Sequence, residues 1–265
     1  MAGPRKWLGA MLLHAPEPLK SIRNAPFLGD FIHRLSYRAL PENELVWARV
    51  KKGPGRGLWL ELNPRTGQTT LRGGAEPAVQ KSLAERLRPG MVFYDLGANI
   101  GYYSLLAARI VGSSGRVFCF EPDDLAAARL RRNILKNGFQ NVTILESGVW
   151  SVSGSQKFAA PDASSPDRGT GRIVTGGEAL AEKTITCVAL DDFAAGAPPP
   201  HAIKCDVEGA EVEALRGAEK LLKTHRPWIL CEIHSEANDR VFREFLSRFS
   251  YTFSAVDANH ILALP

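Results

Sequence analysis

Four short segments of this chain hold residues whose type and spacing could do chemistry. The first is Asp95-Leu96-Gly97-Ala98-Asn99-Ile100-Gly101, which follows an apolar run at 91–96 and precedes a helical pattern at 102–111. Glycine there permits a tight turn and lets a ligand approach the backbone. A helix start offers unbonded N–H groups to an anionic group such as a carboxylate. The dinucleotide fingerprint G-x-G-x-x-G needs a glycine where Asn99 stands, and the Asp95 carboxylate would repel a pyrophosphate. A carboxylate at that place suits a cationic ligand, and the ammonium and sulfonium of S-adenosylmethionine answer that description. The glycines alone would equally serve a plain strand-to-helix turn.

Glu121, followed by Pro122, ends the next apolar run, 26 residues after Asp95. A carboxylate can accept two hydrogen bonds side by side, as two vicinal ribose hydroxyls require. Glu146-Ser147-Gly148-Val149 follows the third run, where Ser147 or its neighbours could flank an adenine. The fourth segment is Lys204-Cys205-Asp206-Val207-Glu208-Gly209-Ala210-Glu211. Asp206 falls at a strand tip, beside the methionine end of such a cofactor. Glu211 reads best as an acidic residue of the next helix's first turn, favourable to the helix dipole. Should such a cofactor pass its methyl group to a hydroxyl, a base within hydrogen-bond reach would help. Asp206, Glu208 and His234 are the candidates, whereas His201 precedes its strand and so sits at the opposite sheet edge. Asp206 and Glu232 could imitate two ligands of a hard cation, but no third ligand is evident, and no metal is expected.

These groups need elements to hold them. Apolar runs at 91–96, 117–120, 142–145, 203–207 and 228–233 alternate with helical patterns at 77–88, 102–111, 124–137, 209–223 and 237–249. Two further runs, 251–256 and 261–264, suggest a closing hairpin. Strands alternating with helices build a parallel sheet covered on both faces, whose ligands lie beyond the carboxyl ends of the strands. The expected fold is α/β and doubly wound: a Rossmann-like methyltransferase fold with a mostly parallel seven-stranded sheet and an antiparallel C-terminal strand. It should occupy 76–265. Residues 1–75 form a lead-in of short helices and strands, the latter at 45–50 and 58–62 around a glycine-rich 53–57. Segment 151–183, rich in Gly, Ser, Asp and Pro, reads as a long loop that either partly covers the acceptor site, with Arg168 and Arg172 near an anionic acceptor, or is disordered.

In these segments the chain resembles the FkbM-type methyltransferase family. The matching stretches are DLGANIG at 95–101, VFCFEP at 117–122, VALDDF at 188–193, KCDVEGAE at 204–211 and PWILCE at 227–232. The pairing of LDDF with KxDVEGAE is the most specific part. Glu76, in GGAEP at 73–77, matches the family's acidic position before the first helix, although Ala75 stands where an aromatic is usual. The resemblance implies S-adenosylmethionine as cofactor and O-methylation of a sugar, glycan, polyketide or other secondary metabolite. Cofactor contacts then fall on Glu76, Asp95, Gly97, Asn99, Gly101, Glu121, Pro122, Ser147 and Asp206. Asp206, Glu208 and His234 fall at the reacting edge. Two other readings stand beside this one: a non-catalytic S-adenosylmethionine-binding protein, and a nucleotide-binding oxidoreductase.

Composition narrows the partners. Residues 1–72 hold 12 Lys and Arg against 5 Asp and Glu, and residues 73–265 hold 21 against 23. The basic excess is therefore wholly N-terminal. It suits weak contact with an anionic or membrane surface, or simply a solvated face. Without an arginine-rich block or interleaved aromatics, no nucleic-acid partner is expected. No run reaches the roughly 20 apolar residues of a membrane span. Cys119, Cys187, Cys205 and Cys231 lack C-x-x-C spacing and lie in apolar runs, so they read as buried thiols of a reducing compartment, the cytoplasm.

Overall fold

The computed structural model describes residues 44–161, 171–174 and 182–265. The lead-in expected for residues 1–43, and Arg168 with most of its surrounding segment, lie outside the described residues. The chain divides into two compact units, with the boundary between Ala75 and Glu76.

In the first unit, strand β1 (Val46–Arg49) pairs antiparallel with β2 (Trp59–Leu62), with Val46 opposite Leu62. Alternate residues are buried, the period of two that a half-buried hairpin demands. Gly53 and Gly57, at φ of 73° and 91°, turn the connection. A short helix α1 (Gln68–Leu71) follows.

The second unit opens with helix α2 (Pro77–Arg86), strand β3 (Val92–Leu96), α3 (Tyr102–Val111), β4 (Arg116–Phe120), α4 (Asp124–Asn137) and β5 (Val142–Leu145). Then come β6 (Gly148–Val149), β7 (Gly154–Ala159), β8 (Arg172–Ile173), β9 (Glu182–Val188) and α5 (Leu190–Ala194). It closes with β10 (Ala202–Cys205), α6 (Glu211–Arg216), α7 (Glu219–Thr224), β11 (Trp228–Glu232), α8 (Glu236–Ser247), β12 (Thr252–Ala255) and β13 (His260–Leu264). Seven strands form one sheet in the order β12-β13-β11-β10-β3-β4-β5. β10, β11, β3, β4 and β5 pair in parallel, and β13 runs antiparallel to both its neighbours. This is the doubly wound, Rossmann-like methyltransferase architecture. Tyr94, Phe120, Ile203 and Ile229 on one face pack with Leu215, Leu222, Phe242 and Phe245 of the helices. Asp95 and Lys204 point to the other face, where Ser104 of α3 bonds Asp95.

Three sequence expectations need correction. Segment 151–183 is not simply a loop: β7, β8 and β9 join β6 in a second sheet of order β6-β9-β7-β8. Among the described residues, β7, β8 and β9 bury few side chains (Phe158, Ala159, Ile185 and Cys187), so hydrophobic period did not reveal them. The strand expected at 203–207 ends at Cys205, which leaves Asp206 just beyond it. The helix expected at 209–223 is two helices. A Cβ at Gly217, between them, would lie 2.3 Å from the Trp150 carbonyl oxygen.

Among the described residues, no helix is long and apolar enough to cross a membrane. All four cysteines are buried free thiols.

Candidate active site

The turn after β3 is dictated by close packing. Gly97, Asn99 and Gly101 have φ of 76°, 50° and 89°, a region open to glycine and tolerated by asparagine. A Cβ at Gly97 would lie 1.8 Å from the Asp206 carbonyl oxygen, and one at Gly101 would lie 2.1 Å from Leu130 Cδ1. Gly97 thus lets this turn pass against the chain leaving β10, while Gly101 seats α3 on α4. The N–H groups of Gly97 and Ala98 donate to the Phe120 carbonyl at 3.0 and 3.1 Å, which ties the turn to the end of β4.

That tie brings Glu121 to the turn. Asn99 N donates to Glu121 Oε2 at 2.7 Å, and Asp123 N donates to Oε1 at 2.8 Å. Burial pushes the Glu121 carboxyl up to about 7, against the pull of these two N–H groups. Each oxygen retains a lone pair for a hydroxyl donor. Asp95 is 1% exposed. Ser104 Oγ donates to its Oδ2, while its Oδ1 has no hydrogen-bond partner within the protein. Asn99 Oδ1 and Ser147 Oγ are also buried without partners. Buried polar atoms are nearly always satisfied, so these oxygens are open to a polar ligand, and of the three residues Asn99 lines the crevice described next. Burial raises the Asp95 pKa, and Lys204 and Ser104 oppose the rise.

Gly97, Asn99, Glu121 and Pro122 line a crevice of about 570 Å³, counting space open to solvent, together with Gly148, Asp206 and Glu208. Phe158 and Ile173 of the second sheet add an apolar wall that sequence reasoning missed. Ser147 precedes the lining residues Gly148 and Val149, while Glu146 instead pairs with Arg131. Glu76 and Gly101 are not in the lining: Tyr103 OH donates to the Glu76 carboxylate, and Gly101 serves packing.

Beyond β10 and β11 lies a dense charged cluster. Lys204, 3% exposed, places Nζ 3.0 Å from Asp206 Oδ2 and 5.2 Å from the Tyr103 ring centroid. Burial works to lower the Lys204 pKa, but Asp206 and Asp95 hold it above its ordinary value. Burial likewise works to raise Asp206, and Lys204 and His234 outweigh it, so Asp206 stays ionised. His234 Nε2 stands 3.4 Å from Glu208 Oε2 and 3.8 Å from Asp206 Oδ1. Its Nδ1 bonds Glu211 Oε1 at 2.9 Å. Chiefly through that bond its pKa rises to about 9, so the imidazole is cationic at neutral pH. Burial raises the Glu208 pKa against the pull of His234.

Glu211 lies in the first turn of α6, where the sequence reading puts it, and it does more than face the helix dipole. It is fully buried, accepts from Gly209 N at 2.9 Å, and fixes His234. Glu232 and His260, opposite each other across β11 and β13, complete the cluster. Sequence reasoning weighed Glu232 only in passing and left His260 in a turn. The signal was there: Lys204-x-Asp206 and Glu232-x-His234 carry the period of two that puts both members on one sheet face.

The LDDF motif proves architectural. Asp191 accepts from Lys220 N at 2.8 Å and Leu221 N at 2.9 Å, capping α7 from outside that helix. Phe193 packs its ring against Tyr94, Phe118 and Phe120, with centroids 5.1–5.5 Å apart.

Comparison with known proteins bears on this site. The model of the methyltransferase FkbM domain matches residues 95–260. The hexuronic acid methyltransferase AglP of Haloferax volcanii is 32% identical over 180 residues, covering 67% of this chain and 69% of that protein. The ribosomal protein L11 methyltransferase of Caldanaerobacter subterraneus is 25% identical over 107 residues, 36% of this chain and 33% of that protein. Among solved structures, the FkbM methyltransferase of Methylobacillus flagellatus has a TM-score of 0.49 at 18% identity, covering 75% of this chain and 60% of that one.

Proposed function

This chain belongs to the FkbM methyltransferase family, and within it we propose an O-methyltransferase that acts on a hydroxyl of a sugar or glycan, with hexuronic acids the first acceptors to try. S-adenosylmethionine is the cofactor, and it supplies an electrophilic methyl group whose carbon–sulfur bond breaks with its electron pair going to sulfur. Residues 76–265 carry this chemistry, with 1–75 as a separate lead-in.

Glu121 accepts the ribose hydroxyls, and the unpartnered oxygens of Asp95 and Asn99 take polar groups of the cofactor. Gly97 gives the ligand close access to the main chain. Pro122, Ser147 and the neighbouring Gly148 border the adenine end. Asp206, pinned by Lys204, faces the cationic methionine end. Glu208 takes the acceptor's hydroxyl proton, and the His234 cation positions it. Alignment and exclusion of water supply much of the rate in such a displacement.

One observation carries this reading: Glu208 and Glu121 line the same crevice, which is what a proton acceptor and a ribose clamp for one reaction would require. The hexuronic acid named for the Haloferax volcanii relative supports the acceptor class.

The experiment supplies S-adenosylmethionine with uronate-containing oligosaccharides, neutral oligosaccharides and a peptide mixture. Products are read by mass spectrometry and by the methoxy carbon signal in NMR. O-methylation of a saccharide is expected, with kcat falling roughly 10²- to 10⁴-fold in Glu208→Gln. Methylation confined to nitrogen or carbon would overturn the reading.

A further inference from the structure

The charged cluster contains a group that the methyl-transfer roles leave unused. The two oxygens of Glu232 face different histidines: Oε1 lies 4.0 Å from His234 Nε2, and Oε2 lies 3.5 Å from His260 Nε2. The His260 side chain is 5% exposed, and its Nε2 also stands 4.0 Å from Glu76 Oε2. That Nε2 makes no hydrogen bond. On the other side of the ring, Nδ1 bonds Asp257 Oδ1 at 2.7 Å. The same oxygen accepts from the N–H groups of Asn259 and His260, each at 3.0 Å, so it is fixed in place. A carboxylate at Nδ1 puts the proton of a neutral imidazole there and aims the Nε2 lone pair at Glu232 and Glu76. Histidines that bind metals are commonly oriented in this way.

We propose that Glu76, Glu232 and His260 form a site for a divalent transition-metal cation, Mn²⁺ or Zn²⁺. One ligand atom from each residue lies within 4.8 Å of the others. Two ligands of one ion, each about 2.1 Å from it, stand about 3.4 Å apart in tetrahedral geometry. The separations of 3.5 and 4.0 Å are close to that span, and longer than the roughly 2.8 Å of a charge-assisted hydrogen bond. One imidazole with two carboxylates suits Mn²⁺ or Zn²⁺ better than Mg²⁺ or Ca²⁺, which take oxygen ligands. Carboxylates also outnumber the other cationic groups nearby: Glu76, Asp206, Glu208, Glu211, Glu232 and Asp257 against Lys204 and His234. Glu232 joins the site to the crevice through His234. A cation there can hold an acceptor oxygen and make its hydroxyl more acidic, and this use, unlike the binding itself, rests on the methyltransferase reading.

The test titrates the chelator-treated full-length protein with MnCl₂, following the free-ion signal by electron paramagnetic resonance, with Zn²⁺ as competitor. Expected is saturable binding of a single Mn²⁺ per chain, displaced by Zn²⁺. Binding should vanish in His260→Ala and in Glu232→Gln. Asp257→Asn keeps all three ligands and should weaken Mn²⁺ binding about 10- to 100-fold. Circular dichroism checks that each variant folds, and calorimetry follows S-adenosylmethionine affinity in parallel. Absence of saturable binding by the wild type, or unchanged binding in folded His260→Ala or Asp257→Asn, overturns the metal site. Retained metal binding in a protein that binds no S-adenosylmethionine would support the site and count against the functional reading instead.

Discussion

At the residue scale, the cofactor role proposed for Glu121 implies that binding should depend on pH. Its carboxyl titrates near 7 in the unliganded protein, because burial outweighs two N–H donors. The folded pKa lies above the unfolded value, so its contribution to stability is full at acid pH and is lost as pH rises through about 7. Binding has the opposite dependence, since only the ionised form can accept a hydroxyl at each oxygen while both hold their N–H donors. S-adenosylmethionine affinity should therefore fall as pH drops below about 7, by up to roughly tenfold per pH unit. Calorimetry between pH 5.5 and 8 measures this, and Glu121→Gln should bind weakly with no such slope. Asp206 carries a different liability. The sequence suggests that Asp206→Asn would harm turnover more than folding, but the carboxylate is the hydrogen-bond partner of the buried Lys204. The substitution should also cost roughly 1–3 kcal/mol of stability, the penalty for weakening the partner of a buried charge. Denaturant unfolding of the variant reads that loss directly.

At the element scale, strands and helices with strong hydrophobic periods were legible to within a residue or two. The helices at 102–111 and 124–137 fall where the pattern puts them, the first buried over most of its surface and the second along the face of Ala126, Leu130, Asn133 and Ile134. Elements held by something other than their own pattern were not. The break falls at Gly217, where the Trp150 carbonyl, far away in sequence, leaves no room for a Cβ. The second sheet is mostly backbone pairing between polar strands. Helix α7 illustrates the same point, because its cap, Asp191, comes from another helix. Asp191→Ala should destabilise the protein by about 1–2 kcal/mol, lowering Tm by about 3–6 °C. No residue of α7 lines the crevice, so affinity for S-adenosylmethionine should hold. A thermal scan paired with calorimetry checks both halves.

At the scale of the whole molecule, the crevice joins the tips of β3, β4 and β10 to the second sheet, so ligand binding should stabilise them together. S-adenosylmethionine at 100 times its Kd should add about 2.7 kcal/mol, raising Tm by roughly 5–10 °C. NAD at equal concentration should leave Tm unchanged, because Asn99 replaces the needed glycine and Asp95 repels a pyrophosphate. By itself the sequence determined the α/β class, the strand order's repeating unit and the cofactor, and it placed Asp95, Glu121 and Asp206 at or next to strand ends. Each of these rests on local spacing: a period of two or 3.6, a glycine turn, an acid at a strand end. Only the tertiary structure decided which charges meet. It buried Glu211 under His234, paired Lys204 with Asp206, set Glu232 opposite His260, and brought Phe158 and Ile173 to the crevice. Those contacts join residues far apart in the chain. Their strength depends on burial and on distances of a few ångströms, which hydrophobic periodicity does not encode.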